Sequence, residues 1–347
     1  MNTSALLSLV SLSLLAATAT SQDAPPKPAP ELARLKAFEG HWEGSGTAMM
    51  GPGTEPTKWT SKSTYQWALS GFFLQADSSI QFEGGGPALR FREYLGWDGE
   101  NKRYVDVSVS NSGEGVVSTL MFPSDDTMVS MTRYLRDGKT QIERAFVKFA
   151  KDEQRMTLSF LNEAGPSVDA IIGTFKRVQK TTPTGLEAVH GMGPAPAAMG
   201  TIAKMAGEYD FVGEMTMMPG TPAMKIKGRD SVRSLFEGAI VQVVTHGEPV
   251  GPFPAYEAHA YYAWNPCDKC YDIVMVSNMG EAGTMQTRLE GDKLVGVFAG
   301  LSMGKNSAAH MVMSLDKDGR PTKSVAHAIL GASEPYKSFE ASYTKVK

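Results

Sequence analysis

One pattern, V-x-V-S-N-x-G-E, occurs twice in this 347-residue chain, at Val107–Glu114 and Val274–Glu281. It has two readings. As a polar pair at the mouth of a binding site, Asn111 with Glu114 and Asn278 with Glu281 would meet a hydrogen-bonding ligand. As hairpin turns, Asn and Gly supply left-handed backbone and Ser caps the turn, which is the simpler reading. Just upstream, Tyr94 and Trp97 recur as Tyr261 and Trp264. Aromatic rings of this kind line apolar pockets or fill cores. Residues two apart on a strand share a face. Arg90, Arg92 and Tyr94 therefore point together, as do Glu257, His259 and Tyr261. If that face is interior, the first set suits a carboxylate or other anion. If it is exterior, these are surface residues, a reading slightly preferred for Arg90 and Arg92. Trp42, Arg92, Tyr94, Trp97, Tyr209, His259, Tyr261 and Trp264 form the candidate ligand-binding set.

Other chemistry is sparse. The only cysteines are Cys267 and Cys270, between the strand-like runs YYAW and YDIVMV. No second pair completes a zinc site, and no helix start follows as in a thioredoxin-like motif. A disulfide across a hairpin turn is the expectation. Twenty Met include the clusters Met49-Met50 and Met217-Met218. Thioethers bind Cu(I), but Met more commonly fills gaps in a core. No G-x-S-x-G, H-E-x-x-H, Walker or dinucleotide signature is present, so no catalytic residue is assigned and the balance leans away from an enzyme. No metal or cofactor is expected. A net charge of -3, with Lys and Arg scattered, points away from nucleic acid.

These residues sit within a tandem repeat. A shift of 167 residues aligns Gly40–Glu114 with Gly207–Glu281 without a gap, with identities such as Gly46/Gly213, Gly71/Gly238, Gln75/Gln242, Tyr104/Tyr271, Val107/Val274 and Val109/Val276. A period this long means tandem domains and not a solenoid. The expected organisation is copy one over 31–178, a Pro-, Gly- and Ala-rich linker over 179–199, and copy two over 200–347.

Each copy reads as all-β. In copy one, PELARLKAF is a short helix with Pro at its start. About ten strand-like runs follow, near 41–50, 57–69, 72–82, 89–97, 103–110, 115–122, 127–136, 140–150, 154–162 and 169–177. Turn residues separate them, with explicit hairpin dipeptides at Asp98-Gly99, Asp137-Gly138 and Asp318-Gly319. Sequential strands joined by tight turns predict an antiparallel up-and-down barrel, whose closure removes open edges. A β-sandwich is the alternative.

The opening strand of copy one, Gly40-His41-Trp42-Glu43-Gly44-Ser45-Gly46, resembles that of the calycin group, which includes lipocalins, fatty-acid-binding proteins and nitrobindins. Both halves more closely resemble a bacterial family of unknown function that pairs this opening with a Met- and Pro-rich element, here MMGPGTEP and MMPGTP. Copy two departs from the motif, with Tyr209 in place of Trp. The resemblance implies a barrel with an internal cavity and no particular activity. Because nitrobindins bind haem through histidine, haem is weighed for His41 and for His246, His259, His310 and His327. None of the latter four has a histidine counterpart in copy one, and haem is not expected.

The apolar run Ala5–Ala17, followed by small residues at Ala17 and Ala19, reads as a signal peptide over 1–21. A Pro-rich tether over 22–30 follows it, and no later run is long enough to span a membrane. The expectation is therefore an exported protein, periplasmic or secreted. It is non-catalytic and binds a small apolar or amphipathic ligand in a barrel. The alternatives are a structural or interaction protein with filled barrels, and a haem protein or enzyme using copy two.

Overall fold

The structure, a computed structural model, describes residues 26–49, 54–136, 139–162, 168–180, 190–302 and 305–346. The signal segment, residues 22–25 of the tether, Met50–Gly53, the Asp137-Gly138 turn and 181–189 of the linker lie outside the described residues.

Twenty strands form two closed antiparallel barrels, each wound in simple chain order. Barrel one comprises β1 (Gly40–Ala48), β2 (Thr57–Ala68), β3 (Phe73–Phe82), β4 (Leu89–Asp98), β5 (Arg103–Ser110), β6 (Gly115–Ser124), β7 (Thr127–Arg136), β8 (Lys139–Phe149), β9 (Glu153–Asn162) and β10 (Val168–Val178). Barrel two comprises β11 (Gly207–Met215), β12 (Met224–Leu235), β13 (Ile240–Gly247), β14 (Tyr256–Asn265), β15 (Cys270–Ser277), β16 (Ala282–Glu290), β17 (Lys293–Ser302), β18 (Lys305–Leu315), β19 (Pro321–Leu330) and β20 (Tyr336–Lys345). First and last strands pair in both, with Trp42 opposite Arg177 and Tyr209 opposite Lys345. The up-and-down barrel is thus observed and the sandwich is not. Every strand of copy one falls within two residues of its sequence reading.

A short helix plugs one end of each barrel. In barrel one it is the 3-10 helix Pro30–Ala37, which buries Leu32 and Leu35. In barrel two it is the α-helix Met199–Ala203, which buries Met199 and Ile202. The repeated tyrosines hold both plugs: Tyr104 donates to the Glu31 carbonyl at 2.8 Å and Tyr271 to the Ala198 carbonyl at 2.9 Å.

The opening motif has a steric cause. A Cβ on Gly46 would lie 1.9 Å from the Ile172 carbonyl oxygen of the neighbouring strand, and one on Gly213 would lie 2.0 Å from that of Glu340. Both copies therefore keep this glycine. The middle glycine, Gly44, gives way to Phe211 in copy two, and the packing is exchanged around it. In barrel one, Gly44 leaves room for Phe175 and Ser61. In barrel two, Gly228 stands where Ser61 was, and the Phe211 ring fills the space beside it.

Candidate functional site

The repeated surface and the barrel interior are different places. On β4 the inward side chains include Phe91, Leu95 and Trp97, all packed in barrel-one clusters. Arg92 and Tyr94 therefore face outward, onto barrel two. A single apolar cluster joins Leu69, Phe73, Tyr94, Val107 and Val109 of barrel one to their counterparts Phe236, Ile240, Tyr261, Val274 and Val276 of barrel two. These are equivalent positions under the 167-residue shift, so the contact is a pseudo-twofold, isologous interface. The turns obey the same symmetry, with Gly113 against Ala239 and Gly280 against Phe72.

A polar network crosses this interface. The Tyr94 hydroxyl lies 2.8 Å from the Tyr261 hydroxyl and 2.7 Å from His259 Nδ1. Gln242 Nε2 donates to Tyr261 at 3.1 Å. Arg92 donates to both carboxylate oxygens of Asp77, at 2.7 and 3.1 Å. His259 Nε2 lies 3.1 Å from a Glu257 oxygen. Burial lowers the His259 pKa, against the raising effect of Glu257. A cleft of about 140 Å3 at the seam is floored in part by Val105, Val117 and Ala282.

Both V-S-N-x-G-E segments form turns. Asn111 accepts from the Arg90 amide at 2.9 Å and donates to the Ala88 carbonyl at 2.9 Å. Asn278 accepts from the Glu257 amide at 3.0 Å and donates to the Ala255 carbonyl at 2.7 Å. Each Asn thus clasps the preceding strand. Gly113 and Gly280 take positive φ, 87° and 75°. Glu281 accepts from Tyr256 and Ser277, both at 2.7 Å, whereas Glu114 accepts from Ser112 at 3.1 Å and is exposed.

The interior of barrel one carries chemistry that interior positions rarely hold. One belt of cross-strand neighbours runs Leu95, Asp106, Ser118, Thr132, Glu143 and Phe160, with Glu93 beside it on β4. Three carboxyl groups converge there. Burial, reinforced by Glu143, raises Glu93 to about 7. Burial, with Glu93 and Glu143 nearby, holds Asp106 well above the usual carboxylate range. Glu143 is raised by burial and by Glu114. Asp106 is 7% exposed and its Oδ1 has no hydrogen-bond partner. Glu93 and Glu143 are half-buried although they face inward. Hydroxyl pairs also face inward, Ser118 with Thr132 at 2.6 Å in the belt and Ser78 with Ser63 at 2.9 Å level with Phe91. The belt lies between the plugged end and an apolar layer at the other end formed by Trp59, Ile80, Phe82, Leu89, Phe91 and Ile171.

The same belt in barrel two reads Tyr262, Ile273, Met285, Phe298, Ala309 and Ala328, and Ala260 replaces Glu93. The interior there is an apolar cluster that includes Met199, Val241, Ile273, Met285, Leu294 and Phe298. An inward carboxyl there, Asp230, is raised to about 6 by burial, and its Oδ1 also has no hydrogen-bond partner.

The sequence candidates therefore divide. Trp42, Trp97, Tyr209 and Trp264 face the barrel interiors near the plugs. Trp42 donates to the Phe38 carbonyl at 2.7 Å beneath the Arg177 guanidinium. Tyr209 lies under Lys345. Trp97 packs on Tyr104 and Trp264 on Tyr271. Arg92, Tyr94, His259 and Tyr261 meet at the seam and line neither interior. The expected disulfide is not formed. Cys267 is an exposed free thiol and Cys270 a buried one, at the predicted hairpin turn. The Cys270 thiol donates to Asp272, and the backbone amides of Cys267 and Asp268 donate to Asn265 Oδ1, which holds the turn. His41 bonds Thr64 on the outer wall, and His246, His310 and His327 are exposed. No group of three or more His, Cys, Asp or Glu suited to a metal occurs among the described residues.

A family model described as a protein of unknown function, DUF1579, matches residues 27–177 and 197–322. The chain belongs to the DUF1579 family. The first matched region spans barrel one, and the second runs from the plug of barrel two to the start of β19. No curated protein matches. Among solved structures, Rv2717c from M. tuberculosis is 17% identical over 44% of this chain and 99% of its own, with a TM-score of 0.34. A DUF3598-family protein of unknown function from Nostoc punctiforme is 11% identical over 92% of this chain and 100% of its own, with a TM-score of 0.26.

Glu93, Asp106 and Glu143 were not among the sequence candidates. The alternation in RYVDVSVS separates the Val face from the Tyr104, Asp106 and Ser108 face, but the apolar face looks like the core. The repeat held the missing signal. Val107, Val109 and Tyr94 are identical in both copies, as a self-complementary interface requires. Asp106 and Glu93 become Ile273 and Ala260, as a site confined to one copy allows.

Proposed function

We propose that this DUF1579 chain is an exported, non-catalytic binding protein. Its first barrel takes a small amphipathic ligand with a basic end, and its second barrel is a filled support. The observation that carries this reading is the replacement of one belt, Asp106-Ser118-Thr132-Glu143, by Ile273-Met285-Phe298-Ala309 in an otherwise matching barrel. Buried carboxyls destabilise a fold unless they are paired. Barrel two closes with Ile273, Met285, Phe298 and Ala309 at this level, so the architecture does not need carboxyls there. A protonated amine would give Asp106 Oδ1 the partner it lacks, and the ligand's apolar part would lie against Phe91 and Ile171. Export rests on the amino-terminal apolar run alone.

The test compares hexylamine with hexanoate by calorimetry on the full mature chain. The amine is expected to bind at one equivalent and the acid not to bind. Amine affinity should rise between about pH 6 and 8, as Glu93 loses its proton around 7. Equal binding of both compounds, or binding of neither, would remove the proposal.

A further inference from the structure

The outer wall of barrel two carries a pair of histidines that the reading above does not use. His310 on β18 and His327 on β19 are direct cross-strand partners. Both are exposed. Neither makes a hydrogen bond or ion pair among the described residues, so the ring nitrogens are available. A bulge between Ala326 and His327 interrupts the ladder of β19 with β20 at this point, and bulges re-aim the side chains they carry.

The surroundings leave the pair uncontested. The same face presents Ala308 opposite Ile329 and Val312 opposite Val325, with Val297 opposite His310 on β17. None of these carries a charge. Val297 is 57% exposed and Ile329 39%. The nearest cation in register is Lys337, whose ammonium donates to Glu340 at 2.7 Å. The equivalent positions in barrel one are Arg144 and Ser159, partners of each other, which hold no chelating pair.

Directly opposed residues on antiparallel strands have Cβ atoms roughly 4.5–5.5 Å apart. Two imidazoles at that separation both reach one ion at about 2.0–2.1 Å. Imidazole favours the later first-row divalent cations, with Cu(II) bound most strongly. We propose that His310 and His327 form a two-histidine surface site for a divalent copper- or zinc-type cation, with water completing the coordination. The ion bridges β18 and β19 and leaves both barrel interiors untouched, so this site stands or fails independently of the ligand proposal.

The experiment titrates CuCl2, and separately ZnCl2, into the tag-free full chain at pH 7.5. One Cu(II) is expected, with an electron paramagnetic resonance signature of two nitrogen ligands, and Zn(II) bound more weakly at the same site. H310A and H327A should each weaken Cu(II) binding at least ten-fold, with far-ultraviolet circular dichroism unchanged. The double variant should be no worse than either single one, and H246A should match the parent. Undiminished copper binding in H310A/H327A overturns the proposal. So does loss of binding that follows Cys267→Ser or Cys270→Ser instead.

Discussion

The two barrels share topology, plug and opening glycine, yet their interiors are opposite in character. Barrel two encloses Met, Phe, Ile and Ala at the level where barrel one encloses three carboxyls and two hydroxyls. Their outer faces show the reverse relation, because Tyr94 and Tyr261, Val107 and Val274, and Val109 and Val276 are kept alike to pack on each other. A duplicated fold is constrained wherever its copies touch. It is free to diverge wherever each copy encloses its own space.

The largest expected effect lies where the barrels agree. Trp42→Ala and Tyr209→Ala each remove a fully buried ring beside a plug and should destabilise their barrels by about 3–5 kcal/mol. Thermal unfolding of the two variants should give similar losses. A barrel indifferent to the change would show that the plugs are not equivalent.

The next effect separates the barrels by pH. Glu93 is held at about 7, against 4.5 for an unperturbed glutamate. The folded state therefore binds this proton more tightly than the unfolded chain. The contribution is complete below pH 4.5 and is lost as pH rises through 7, a change of about 3 kcal/mol. Denaturant titrations should show barrel one weakening across that window, and Glu93→Gln should flatten the trend. Asp230 gives barrel two a similar decline ending near pH 6.

A smaller effect tests the seam. Tyr94→Phe leaves the Tyr261 hydroxyl and His259 short of a partner and should cost about 1–2 kcal/mol. Tyr261→Phe should do the same, and the double variant should fall short of the sum, because the two hydroxyls share one network. The smallest effect is protonation of His259, whose pKa burial lowers. Its neutral form supports the interface above pH 6.5, and that support is lost as pH falls through the lowered value. Hydrogen exchange at Val107 and Val274 should report the loosening, and His259→Gln should suppress it.

The sequence specified the barrels closely, because alternation and turn dipeptides are local signals and closure follows from strand count and edge avoidance. It was silent on which face of β4 and β5 looks inward. Val105, Val107 and Val109 form the more apolar face, and a lone barrel would bury that face inside. A second barrel supplies an external partner for it, which releases the inner face for Asp106 and Glu93. The cysteine pair was legible as a turn but not as a bond, since Asn265 and Asp272 already satisfy the turn's polar groups.

The most direct measurement writes barrel two's belt into barrel one. Glu93→Ala, Asp106→Ile and Glu143→Ala, combined in the full chain, should give a folded protein more stable than the parent at pH 8 that no longer binds hexylamine in calorimetry. A triple variant that loses stability at pH 8, or binds the amine as the parent does, would contradict the assignment of barrel one's interior as the ligand site.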